Sequence, residues 1–133
     1  MSAIEPDFLT VEEVLALHAD QLRLFGGSDG LRNRGGLESA VATPSASFGG
    51  AYLHETLFEM AAAYAFHIAE NQPFVDGNKR TALNAALVFL DINGHEVRDP
   101  DGRLYAAMIA ISSRDLDKKG LAKLLAELAG GTP

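Results

Sequence analysis

No cysteine occurs among the 133 residues, which excludes disulfides, thiol catalysis and zinc–thiolate centres, fits a reducing compartment, and leaves the fold to stand on packing alone. Basic residues are scarce. Eleven Lys and Arg stand against 18 Asp and Glu, for a net charge of -7. Phosphate backbones are held mainly by clustered cations, so a general nucleic-acid binder is not expected; a basic partner, or a local anion site on an acidic background, is. Long apolar runs are also missing: no stretch of about 18 uncharged apolar residues is present. The opening "MSAIEPDFLTVEEV" is acidic where a secretory signal would be basic and then apolar. The expectation is a soluble, cytoplasmic protein with no membrane contact, folded as one domain over residues 1–133 around a single core.

What is present reads as helix. Thr10 with Glu13 has the capping-box spacing, so a helix is expected from Val11, carried by Val11, Val14, Leu15, His18 and Leu22 and stopped by Gly26-Gly27. A glycine- and arginine-rich connector, "GGSDGLRNRGG", leads to a short helical run "LESAVAT" that Pro44 ends. "PSASFGGAY" lacks helical periodicity and predicts an exposed loop or small hairpin with Phe48 near its tip. Two nearly all-apolar helices follow, from about His54 to Glu70 and from Asn78 to Ile92. Asp99 and Pro100 then suit the start of a helix to about Ile111, and "DLDKKGLAKLLAEL" gives a last one with Leu121, Leu124, Leu125 and Leu128 on a single stripe. Gly130-Gly131 release a loose tail. The fold class is all-α, a single domain of about six helices with a short loop or hairpin flap.

Between the two apolar helices lies "NQPFVDGNKR", residues 71–80. Pro73 and the Asp76-Gly77 pair break the chain, which sets Asp76 to Asn78 as a tight turn at the N-terminus of the second helix. The first backbone N–H groups there lack helical partners, and the macrodipole amounts to roughly half a positive charge. Lys79 and Arg80 place cations where acidic residues are ordinarily preferred, an arrangement that a bound anion relieves. Gly77 permits a positive φ, so that successive N–H groups converge into a nest, and Asp76 suits a Mg2+ that bridges carboxylate and phosphate. From the residues alone the set reads as a nucleotide polyphosphate cradle; the alternative, on the turn alone, is a solvated corner between two helices.

"QPFVDGNKRTA" also resembles the Fic/Doc signature, H-x-F-x-D/E-G-N-G/K-R, with Lys79 similar to the Doc (death-on-curing) branch. "FLTVEEVLALH", "GGLESAVATPSASFGG" and "ALNAALVFLDINGHEV" resemble Doc-type sequences at the same relative positions. The resemblance implies an all-α Fic fold, a toxin paired with a small antitoxin protein, and ATP and Mg2+ as cofactors. The implied activity is transfer of the ATP γ-phosphoryl group to a threonine of elongation factor Tu, which halts translation. Family members with glycine in place of the lysine transfer a nucleotide monophosphate instead. By motif, Asp76 would hold Mg2+, Gly77 and Asn78 would form the anion nest, and Lys79 and Arg80 would grip phosphates. Phe74 would anchor the loop, and the segment around Phe48 would be the flap that aligns the target.

The chain departs from the signature at one position. The family's catalytic histidine falls at Gln72, and an amide orients a hydroxyl by hydrogen bond but cannot take its proton. A loose phosphoryl-transfer transition state tolerates such an exchange better than most reactions do, since positioning and charge neutralisation dominate. The alternative readings are a catalytically impaired module that binds nucleotide or antitoxin, and a nucleotide monophosphate transferase on the same fold. Among the histidines, His67 would point about 140° away from position 72 on a continued helix. His54, His18 and His95 read as capping, packing and loop residues. Arg32 and Arg34 read as solvated loop cations or as an extension of the anion site; Asn84, Glu59 and Tyr64 read as structural.

Overall fold

The structure, a computed structural model, describes residues 5–130. The expected tail from Gly131 onward lies outside the described residues. Six α-helices run in order: α1 Val11–Phe25, α2 Arg34–Ala42, α3 Leu57–Asn71, α4 Asn78–Ile92, α5 Arg103–Ser112 and α6 Lys118–Leu128. Between α2 and α3 stand a single 3-10 turn and a hairpin of β1 Ser47–Phe48 with β2 Ala51–Tyr52. The mostly helical fold expected from the sequence is what forms. No helix among the described residues is long and apolar enough to cross a membrane.

Helix α3 is the centre of the domain and packs against α2, α4, α5 and α6. Its Ala61, Ala62, Ala63 and Ala65 are fully buried, as are Ala82, Ala85 and Ala86 of α4. Small side chains on both facing surfaces let the two helices lie close, and interaxial distance follows the side chains at the contact. Larger groups close the ends of this seam: Tyr64, Ile68, Phe74, Phe89 and Leu90 are all nearly or wholly inaccessible. Leu121 and Leu125 of the terminal stripe are buried, and Leu124 and Leu128 pack against the core from its margin.

Helix starts follow caps more than apolar pattern. Thr10 and Glu13 form the expected reciprocal box. A second box, Thr56 with Glu59, begins α3 three residues later than the apolar pattern suggests, so His54 is not a cap. Asn33 caps α2 through the Gly36 N–H and starts it before "LESAVAT". Pro100 does not begin α5: the Asp99 carboxylate accepts from the N–H groups of Arg103 and Leu104 at 2.8 and 2.9 Å, and the helix starts at Arg103. Asp117 likewise caps α6 later than expected.

The hairpin turns on Gly49 and Gly50, with φ of +61° and +83°. Two consecutive positive φ values are the requirement of the tight hairpin turn whose twist matches the strands, which glycine meets without strain. Phe48, as expected for a flap tip, is exposed, with 82% of its surface accessible.

Candidate functional site

Helix α3 ends at Asn71 and is capped by Gln72, whose backbone is left-handed at φ 44° and ψ 57°. Pro73 then prevents continuation. The loop that follows is tied from within by Asn78, whose Oδ1 accepts from the Phe74 N–H at 3.0 Å while its Nδ2 donates to the Phe74 carbonyl at 2.9 Å. Phe74 is buried and stacks on His18 of α1, with ring centroids 3.7 Å apart and planes within 5°. His18 Nε2 lies 2.8 Å from the Asp76 carbonyl, and an acceptor there assigns the proton to Nε2. His18 is thus a packing residue, as expected, and it also holds the motif loop from beneath.

Gly77 has φ 79°, and α4 opens on Asn78 with no side-chain cap and no acidic residue in its first turn. The free N–H groups and the helix dipole leave that end positive. Gln72, Asp76, Gly77, Asn78, Lys79 and Arg80 all line one cavity of about 250 Å³, with Tyr105 of α5 on its rim. Among the described residues neither Lys79 nor Arg80 has an ion-pair partner. Arg80 instead lies over Phe25, 4.2 Å from guanidinium carbon to ring centroid, and near Tyr105 at 5.2 Å. Two cations outside any ion pair among the described residues, beside uncapped N–H groups and with the Asp76 carboxylate as the one acidic side chain in the lining, concentrate positive charge in this hollow on a chain of net charge -7. The residues singled out in the motif therefore come together, though the Asn78 side chain is spent on the loop and only its backbone N–H is left uncapped at the cavity.

The connector between α1 and α2 is bonded to the motif loop. The Val75 N–H donates to the Gly30 carbonyl at 3.0 Å, and the Arg32 and Asn33 N–H groups both donate to the Pro73 carbonyl, at 2.7 and 3.0 Å. Leu31 and Phe74 form an antiparallel bridge. A Cβ at Gly27 would stand 2.8 Å from Asp76 Oδ2, and the φ of +118° there is one that glycine adopts without strain. Arg32 donates to the Gln72 carbonyl at 2.8 Å and to its Oε1 at 3.3 Å. Arg34 makes only exposed ion pairs, with Glu12 and Glu38.

The Asp76 carboxylate accepts one backbone N–H on each oxygen, from Gly77 at 2.9 Å and Ser28 at 3.2 Å, and keeps free lone pairs on both. No group of three His, Asp or Glu able to hold a metal ion exists among the described residues. A single oriented carboxylate suits Mg2+, which retains waters and takes its remaining ligands from phosphate oxygens. A metal needing several protein ligands would not be satisfied.

The flap hairpin lies next in sequence to His54, which belongs to a cluster that the sequence does not reveal. Lys118 Nζ lies 3.0 Å from both His54 Nε2 and His67 Nε2. Burial, then Lys118 and His54, push the His67 imidazole down to about 4, and burial lowers His54 in the same direction. A folded state that binds fewer protons than the unfolded chain loses stability as pH falls through that window, here from about 6.5, the ordinary histidine value, toward 4. Urea midpoints at pH 7.5 and pH 5 should therefore differ more for the wild type than for His67→Gln. Equal pH dependence in the two proteins would contradict the cluster.

Thr81, one turn into α4, is fully buried and its hydroxyl has no hydrogen-bond partner. An orphaned buried hydroxyl costs about 1–3 kcal/mol, so Thr81→Val should raise stability, by about 1 kcal/mol in chemical denaturation. A loss of stability would mean that the hydroxyl has a partner. Tyr64 shows the satisfied case. Its hydroxyl accepts from the Leu9 N–H at 2.8 Å, and burial pushes it up to about 12.

A family model described as the Fic/DOC family matches residues 8–90. The chain is 42% identical over 109 residues, covering 80% of it and 81% of the relative, to "Toxin Doc" of Mycolicibacterium smegmatis. It is 40% identical over 92 residues, covering 68% of it and 71% of the relative, to "Protein kinase doc" of Escherichia phage P1.

Proposed function

The chain belongs to the Fic/DOC family, and on that premise we propose that it is a Doc-like toxin restrained by a small antitoxin, acting by transfer of the ATP γ-phosphoryl group to a hydroxyl of a translation factor, elongation factor Tu. The observation that carries this reading is the one cavity in which uncapped α4 N–H groups, two cations without ion-pair partners among the described residues and the Asp76 carboxylate converge. Lys79 and Arg80 would take the phosphates, the N–H groups of residues 78–80 would bind the oxygens that gain charge, and Asp76 would hold Mg2+. The metal neutralises phosphate charge when bound. The attacking hydroxyl bonds to phosphorus, ADP departs, and the hydroxyl proton leaves to solvent, because Gln72 has no basic site. On this reading Phe48, exposed on the hairpin, would contact the target.

A second reading is favoured by Gln72 itself: a module that binds nucleotide or antitoxin with transfer strongly reduced. Incubation with Mg2+, γ-labelled ATP and elongation factor Tu separates the two. Label on the factor, with a mass increase of one phosphoryl group, supports the enzyme. Nucleotide binding without label supports the module, and transfer from α-labelled ATP would show nucleotide monophosphate transfer instead.

A further inference from the structure

Arg32 is exposed, carries no ion pair among the described residues, and spends its guanidinium on Gln72, reaching both the backbone carbonyl at 2.8 Å and Oε1 at 3.3 Å. A guanidinium has donors only, so it selects the oxygen end of the amide. Gln72 lines the phosphate cavity, whereas Arg32 does not and approaches Gln72 from the connector side. The amide nitrogen is the end that Arg32 leaves free. We propose that Arg32 is a positioning residue that holds the Gln72 oxygen and so turns the amide NH2 toward the cavity, where it donates a hydrogen bond to an anionic oxygen of the ligand.

Three features of the chain support a built contact over a chance one. Arg32 is fixed at its own backbone, its N–H and that of Asn33 being bonded to Pro73. Gln72 is held in a left-handed conformation that non-glycine residues rarely adopt, and the Arg32 bond to its carbonyl secures that geometry. The amide also lies beside Lys79 and Arg80 in a cavity where a donor adds to anion binding and an acceptor would oppose it.

The inference rests on the phosphate-binding reading for its ligand, and its test separates the two. Affinity for Mg2+-ATP and for inorganic pyrophosphate is measured in the wild type, Arg32→Ala, Gln72→Ala and the double variant. Losing one oriented hydrogen bond should weaken binding about fivefold in Arg32→Ala. The same substitution should cost nothing further in the Gln72→Ala background, because Arg32 acts through Gln72. Additive losses would show that Arg32 contacts the ligand itself and would overturn the proposal. If the wild type binds neither ligand, the functional reading fails, and the free protein still decides the positioning. In Gln72→His the new imidazole should titrate by NMR below the ordinary histidine value, and adding Arg32→Ala should raise it, since a neighbouring cation disfavours protonation. No rise, in a variant whose amide spectrum shows an intact fold, would place Arg32 away from position 72.

Discussion

Substituting Gln72→His is expected to raise phosphoryl transfer to elongation factor Tu by about 10²- to 10⁴-fold, the range that a positioned general base contributes. On the proposed reading the rest of the site needs no change: Asp76, Lys79 and Arg80 already line one cavity. The backbone is also ready for the exchange. Position 72 has φ 44°, and histidine is among the residues enriched in that left-handed region, so the substitution imposes no new strain. Single-turnover transfer from γ-labelled ATP measures the gain. A rate unchanged from wild type would mean that position 72 is not where the proton is taken, and the assignment of the motif's first residue would be wrong.

Arg80→Gln should weaken Mg2+-ATP binding by about 10²-fold or more, because a guanidinium supplies two charge-assisted hydrogen bonds of about 1.5–3 kcal/mol each. Glutamine keeps part of the aliphatic stem against Phe25 but removes the charge and the fork. Arg80 is exposed and has no ion pair among the described residues, so the thermal midpoint should hardly move. Equilibrium dialysis with labelled ATP beside a melting curve makes the distinction. Retained affinity would remove Arg80 from the phosphate site, and a collapsed fold would make its stacking on Phe25 and Tyr105 structural.

These expectations depend on features of unequal visibility in the sequence. The order of helices is legible because apolar periodicity and stop residues agree, and α1 and α4 lie where Thr10, Gly26 and Asn78 place them. Periodicity misplaces the start of α3 because the apolar pattern reaches back past its cap, although Thr56 and Glu59 carry the same spacing as Thr10 and Glu13. Capping chemistry, and not hydrophobicity, decides where a buried helix begins. Asp99 is not the N-cap of α5, which is Gly102, but its carboxylate reaches forward to accept from the first two N–H groups of that helix.

At the site, the motif's contiguous residues are legible because they sit on one turn. The groups that hold that turn are not. His18 lies 58 positions from Asp76, and Arg32 lies 40 from Gln72. No local pattern links such pairs. One clue is available in the connector: glycines at 27 and 30 leave room for side chains of the motif loop, those of Asp76 and Val75. The His54, His67 and Lys118 cluster has no comparable signal, because its members come from a loop and two helices whose packing only the tertiary fold determines.

A crystal structure of the wild-type chain grown with Mg2+ and ATP bears on the central claim most directly. Phosphate density against the N–H groups of residues 78–80, with a cation beside Asp76, is the expected result. ATP seated elsewhere on an intact fold, or that hollow filled by water alone at saturating nucleotide, would contradict it.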